Sequence, residues 1–281
     1  LVAQNSRETA TCYNDGVMDD YDINILGWTT GANNYIKIYT PSSERHNGTL
    51  GSGFRLASDG GSASYYMYLG EEYIRLEGIA IEAGTRTMLR LVTIPSGLNA
   101  SSDVRISHCL FYGDPSLAYS IWFEGGDVTA KVWNNFFIAT EYIKVSVATA
   151  YFYNNSFYST AASNYGIHGE GGTIVAKNNI IIGPPDDCFI GTFDSSSDYN
   201  ISSDGSAPGA NSLTNKSASD NFVNITSGSE DLHLKSGADA IDAGADLSSD
   251  ANLAFSDDID GDSRPQSTSW DIGADEYVAG A

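Results

Sequence analysis

Ala130-Lys-Val-Trp-Asn-Asn-Phe-Phe137 aligns without gaps with Ile74-Arg-Leu-Glu-Gly-Ile-Ala-Ile81, Val104-Arg-Ile-Ser-His-Cys-Leu-Phe111, Ala150-Tyr-Phe-Tyr-Asn-Asn-Ser-Phe157 and Ile174-Val-Ala-Lys-Asn-Asn-Ile-Ile181. A weaker copy runs from Ser195 to Ser202. Counted at the sixth residue, the copies step from Ile79 to Cys109, Asn135, Asn155, Asn179 and Asn200, intervals of 30, 26, 20, 24 and 21 residues. Intervals of that size suit one coil of a solenoid whose loops vary in length. Positions one and three alternate as a half-buried strand does, and the inward set then shifts to positions six and eight, which requires a bend between them. The Asn pairs 134/135, 154/155 and 178/179 fall at that bend. Asparagine tolerates the left-handed backbone there, and its amide can bond the same amide one coil away. Asn135, Asn155 and Asn179 are therefore expected to form an internal ladder.

A helical reading fails. The copies are rich in β-branched and aromatic residues, lack a 3.6-residue period, and are separated by Gly-rich breaks such as Glu124-Gly-Gly-Asp127 and Glu170-Gly-Gly-Thr173. A short repeat with no hairpin signal between copies predicts parallel stacking, with coils about 4.8 Å apart. The expected fold is all-β: a single-domain, right-handed parallel β-helix, capped at both ends because each end of such a stack exposes unpaired strand edges. Residues 1–72 are read as the N-terminal cap and first irregular coils, 73–205 as the regular coils, and 206–281 as a loop followed by a closing segment.

These residues also carry a resemblance. The Asn-Asn coils, the opening Tyr35-Ile-Lys-Ile-Tyr-Thr-Pro41 with Arg45-His-Asn-Gly48, and the ending Asp239-Ala-Ile-Asp-Ala-Gly244, Asp258-Ile-Asp-Gly-Asp-Ser-Arg-Pro265 and Asp271-Ile-Gly-Ala-Asp-Glu-Tyr277 resemble the secreted bacterial right-handed parallel β-helix repeat proteins. The ending is similar to their C-terminal closing segment. The resemblance implies the fold and leaves the activity open, because that group includes polysaccharide lyases, glycoside hydrolases, adhesins and fibre components of phages and surfaces.

Composition narrows the function. The 281 residues carry 36 acidic and 14 basic side chains, a net charge of −22 that repels a phosphate backbone. Nucleic acid is excluded as a partner on that ground, and no apolar window is long enough to span a membrane. Three cysteines at wide spacing, Cys12, Cys109 and Cys188, match no zinc or disulfide scaffold and read as buried apolar residues. An acidic, Lys-poor, Ser/Thr/Asn-rich surface points to an extracellular setting, at a cell or virion surface.

Three groups of residues are candidates for a site. Positions two and four face away from the core, so stacking them aligns Arg75, Arg105, Lys131, Tyr151 and Val175 in one column and Glu77, Ser107, Trp133, Tyr153 and Lys177 in the next. Four cations beside Trp133, Tyr151 and Tyr153 suit a polysaccharide or another protein surface, unless long loops pack over them. The second group lies ahead of the repeated strands and comprises Glu124, Asp127, Glu141, Lys144, His168, Glu170, Asp186 and Asp187. With Glu124, Lys144 and Glu170 on successive coils, the outer glutamates would stand about 10 Å apart, near the spacing of an inverting glycosidase. Lys144 or His168 would be the base of a lyase. Solvated turn carboxylates are the alternative in so acidic a chain. Third, Asp257, Asp258, Asp260 and Asp262 around Gly261 form an oxygen-rich turn suited to structural Ca²⁺, or else cap turns and pair with Arg264.

No set of acid, base and cation reaches motif strength. The expected function is a non-enzymatic structural or adhesive protein, a subunit of a fibre, sheath or virion appendage, whose rigid flank meets copies of itself, other surface proteins or polysaccharide. A polysaccharide lyase or glycoside hydrolase is the first alternative, and a passive glycan-binding module the second.

Overall fold

The computed structural model describes all residues except 20–21, 58–61, 84–86, 89, 114–118, 148, 161–164, 185–186 and 281, and only the backbone at 62–63 and 87–88. Three parallel sheets of seven strands each run along the molecule. In each regular coil the chain passes through the first sheet (Thr129–Trp133, for example), turns at the Asn pair into the second (Phe136–Ile138), and returns through the third (Ile143–Val145). The first sheet stacks the copies in the register read from sequence: Ile74, Val104, Ala130, Ala150 and Ile174 are successive partners, as are Leu76, Ile106, Val132, Phe152 and Ala176. Among the described residues, no helix is long and apolar enough to cross a membrane.

The bend has one physical cause in every coil. The residue opening it lies in the left-handed region at His108, Asn134, Asn154, Asn178 and Tyr199 (φ 48° to 56°), and at Gly78 (φ 72°) in the earlier coil. The next residue turns inward. Asn135 Nδ2 donates to Asn155 Oδ1 (2.9 Å), Asn155 Nδ2 to Asn179 Oδ1 (3.0 Å), and Asn179 Nδ2 to Asn200 Oδ1 (2.9 Å). The file ends below at Cys109, whose backbone N–H donates to Asn135 Oδ1 (2.9 Å). Each amide also satisfies carbonyls on either side, so the buried polar file leaves few groups unpaired. Around it pack the residues at positions one, three and eight, with Phe111, Phe137 and Phe157 stacked on successive coils at 4.9 and 6.1 Å between ring centroids.

The first coils lie within the N-terminal residues. Residues 1–72 already supply strands to all three sheets, including Glu8–Thr11, Ile23–Ile25 and Arg55–Ala57. Beneath these strands a cavity of about 350 Å³ reaches Ile23, Ile36, Leu56 and Met67, with Leu26 and Trp28 about half exposed. The C-terminal segment also has an unexpected position. After the last coil it runs back along the outer face of the second sheet, placing Phe222, Leu232, Leu234, Ile259 and Ile272 over Leu110, Phe136, Ile138, Ile180 and Ile201. It reaches as far as a bridge between Asp231 and Thr49. Position seven of the repeat is apolar in every aligned copy but one for this reason: the second sheet is buried on both faces, and the exception, Ser156, accepts the Ala274 N–H of the strap (3.0 Å).

The first asparagine of each pair fastens this strap. Asn134 Nδ2 donates to the Asp257 carbonyl (2.9 Å), Asn154 Nδ2 to the carbonyls of Asp271 (3.1 Å) and Gly273 (2.9 Å), and Asn178 Nδ2 to that of Ala245 (2.8 Å). Each pair thus divides its work between the core and the strap. At the heart of the strap, Arg264 is fully enclosed and pairs with Glu276 (2.8 Å).

Candidate functional site

The outward column of the first sheet is divided by the strap. Tyr153 is fully buried beneath Leu247, Leu253 and Trp270, and Tyr151 and Trp133 pack at the border of the same cluster. Tyr153 Oη donates to Asp250 (3.4 Å), Tyr151 Oη to Asn252 (3.2 Å), and Lys177 pairs with Asp250 at 2.8 Å. Residues 245–255 of the chain pack over this half of the sequence-derived surface, burying Tyr153 and leaving Tyr151 and Lys177 partly exposed beside it. Arg75, Arg105 and Lys131 lie on the uncovered half, in register across three strands.

The four candidates for chemistry lie on the third sheet or in the turn that follows it. Its outward column runs Tyr68, Thr93, Trp122, Lys144, His168 and Ile190. Lys144 and His168 are neighbours there. Glu124 and Glu170 belong to the following turn, and the residue between them is Ser146, not Lys144, because the strands pair Phe123 with Val145 and Val145 with Gly169. Each glutamate has its own cation. Arg90 bonds Glu124 at 2.5 Å, and Lys144 bonds Glu170 at 2.9 Å while Ser146 Oγ donates to the other Glu170 oxygen at 3.0 Å. The Lys144 hydrogen bond holds the Glu170 carboxyl below its usual range, opposite to what a general acid needs. Burial raises Glu141 at the sheet's border. Asp127 is exposed, as is Asp187, and Asp186 lies outside the described residues.

Between these ion pairs lies a feature the sequence reading missed. Tyr119 stands 4.9 Å from Trp122 and 4.7 Å from Tyr142; Tyr142 is 5.4 Å from Tyr165, and Tyr165 is 5.2 Å from His168. Two coils lower, Tyr65 and Tyr68 make a further pair at 5.4 Å. The Arg90 guanidinium lies 3.5 Å from the Trp122 centroid, and Lys144 approaches the same ring from the next coil at 5.1 Å. All these rings are partly exposed. Thr93 Oγ1, Trp122 Nε1 and His168 Nδ1 have no hydrogen-bond partner among the described residues, although each is screened from water. Most of these rings lie outside the aligned eight-residue copies, where alignment of repeats gives no signal.

The aspartate turn is organised by backbone groups. Asp258 Oδ1 accepts from the N–H of Asp260 (3.0 Å), Gly261 (2.9 Å) and Asp262 (2.8 Å), and Oδ2 accepts from that of Glu276 (3.0 Å). Asp257 faces His108 at 3.3 Å and Asp260 faces His233 at 3.0 Å, so the four carboxylates do not converge as the proposed Ca²⁺ ligands. A different trio, His233, Asp260 and Asp275, brings ligand atoms within 4.8 Å of one another. His233 is held there by two carboxylates, Asp231 at 2.5 Å and Asp260 at 3.0 Å; their hydrogen bonds outweigh its burial and push it up to about 11. The imidazolium supplies the positive charge itself.

Burial sets the pH response of this region. It raises the Asp258 and Asp271 carboxyls to about 7, above the ordinary value near 3.9, so the folded state binds these protons more tightly than the unfolded chain. That contribution is present at low pH and lost as pH rises through about 7. The raised His233 acts in the same direction, with stability lost as pH climbs from 6.5 toward 11. Buried His46, lowered to about 4, opposes them between pH 6.5 and 4. The balance predicts greater stability at pH 5.5 than at pH 7.5, by on the order of 2 kcal/mol. Urea titrations at both pH values check this, and equal midpoints would exclude it.

No family model matches the chain, and no curated protein or solved structure is significantly similar to it.

Proposed function

We propose that this chain is an extracellular adhesive β-helix that holds a polysaccharide along the outer face of its third sheet. The observation that carries this reading is the run of Tyr119, Trp122, Tyr142, Tyr165 and His168 across three coils. Flat aromatic faces on a rigid sheet offer large contact area at small entropic cost, and the flanking cations and carboxylates can meet sugar hydroxyls. The engagement of Glu124 and Glu170 by Arg90 and Lys144 favours holding over cleaving. Burial of Tyr153 beneath the strap favours the third sheet over the Tyr151–Tyr153 patch as the contact face.

An array of neutral and uronate-containing glycans should show binding without release of products, and Trp122→Ala should weaken binding of the neutral glycans about tenfold. Product release that Glu170→Gln or Lys144→Ala abolishes would instead establish a lyase or hydrolase.

A further inference from the structure

We infer that the uncovered half of the first sheet is a separate binding cleft for the carboxylate or sulfate groups of an acidic polysaccharide. The cleft has a volume of about 300 Å³ and is lined by Tyr35, Lys37, Arg75, Glu77, Arg105 and Trp133. It lies on a different sheet from the aromatic run and does not depend on that reading.

Strand register places Lys37, Arg75, Arg105 and Lys131 in one file on four adjacent strands. Neighbours in such a file stand about 4.8 Å apart, where like charges repel. Among the described residues, compensation within the chain is incomplete. Lys37 and Arg45 share Glu77, and Arg75, Arg105 and Lys131 share Asp103, so five cations divide two carboxylates and leave an excess of three. In a protein of net charge −22, this local reversal of sign is a costly arrangement for solvent alone to stabilise.

The fixed geometry favours an oxyanion over a mobile counterion. Asp103 holds Arg105 through two bonds of 2.7 and 2.9 Å, while the Arg75 guanidinium rests on the Tyr35 ring at 4.9 Å to the centroid. Burial, and then the neighbouring Arg105, pull Arg75 down to about 10, a direction that a bound anion would reverse. Trp133, steadied by Phe255 of the strap at 6.4 Å, closes one end of the cleft and Tyr35 the other. Two aromatic walls around a cationic floor match a sugar ring bearing an acidic group, because the rings bind its apolar faces and the guanidinium groups its oxygens.

Calorimetry of the full chain with a size-defined oligouronate, a sulfated oligosaccharide, a neutral oligoglucan and inorganic sulfate tests the inference. The two acidic oligosaccharides should bind with affinity that falls as salt rises. Arg105→Gln and Lys37→Gln, both partly exposed, should each weaken them about tenfold, whereas Trp122→Ala on the third sheet should not. Unchanged binding in both cleft variants, or loss in Trp122→Ala alone, would overturn the cleft and leave the third-sheet reading standing. Inorganic sulfate binding as tightly as the oligosaccharides would also overturn it, since a free oxyanion would then be the ligand.

Discussion

Replacing Arg264 by Ala is expected to cost about 3–5 kcal/mol, as breaking one side of a buried ion pair does. The side chain has no exposed surface, and all five of its N–H groups are used. Nε donates to the Asp257 carbonyl (3.0 Å), Nη1 to Asp271 O (3.4 Å) and Glu276 Oε2 (2.8 Å), and Nη2 to the carbonyls of Gly273 (3.0 Å) and Ala274 (2.8 Å). Removal would leave the buried Glu276 carboxylate without its counter-charge and take one of the donors from each of four carbonyls. Arg264→Lys should recover little, because a point-like ammonium cannot span the fork. A double variant, Arg264→Met with Glu276→Leu, should recover part of the loss, since no charge is then left without a partner. Urea unfolding of the three variants decides the matter: a cost below about 1 kcal/mol in Arg264→Ala would mean the strap is held by its apolar residues alone.

The second large effect is expected at the middle of the amide file. Asn155→Leu keeps the volume but removes the acceptor of both the Asn135 N–H (3.2 Å) and Asn135 Nδ2 (2.9 Å). It also deprives the Val132 carbonyl and Asn179 Oδ1 of a donor. Asn135 Nδ2 keeps the carbonyls of Ile106 and Trp133, so the Asn135 N–H is the donor left buried without a partner, and with the lost bonds of the Asn155 amide this implies a cost of about 2–3 kcal/mol. The converse is available at Cys109, whose Sγ already lies 3.2 Å from Ser107 O and 3.9 Å from Leu76 O, the positions corresponding to carbonyls that the asparagine amides bond in later coils. Cys109→Asn should add a rung and raise the unfolding midpoint. Loss of stability in that variant would show that the file cannot be extended into the lower coils.

The repeat was readable because one backbone requirement recurs: a left-handed residue followed by an inward amide, flanked by alternating apolar residues. Those positions mark the parallel stack and its register without further information. The strap was not readable in the same way. Phe136 and Ile180 look like ordinary strand residues, and nothing local reveals that segments a hundred residues downstream in the chain cover them. The same long-range contact explains why Tyr153, an outward residue by alternation, is fully buried. On the third sheet, Lys144, His168 and Glu170 were visible as polar residues near breaks, but their partners depend on loop lengths, which shift Ser146 into the place assigned to Lys144. Tyr119, Tyr142 and Tyr165 occur once per coil outside the aligned octets, where only the folded stack brings their rings together.

A stack of coils in which each touches only its neighbours can fray from its ends one unit at a time. The returning strap changes that behaviour. Because Asn134, Asn154 and Asn178 on three successive coils grip one continuous segment, peeling the last coil away means first tearing the same band from coils well below it. Unfolding is thereby converted from a sequential unzipping into a single concerted event, and a rod of this length resists a pull at its tip as one body.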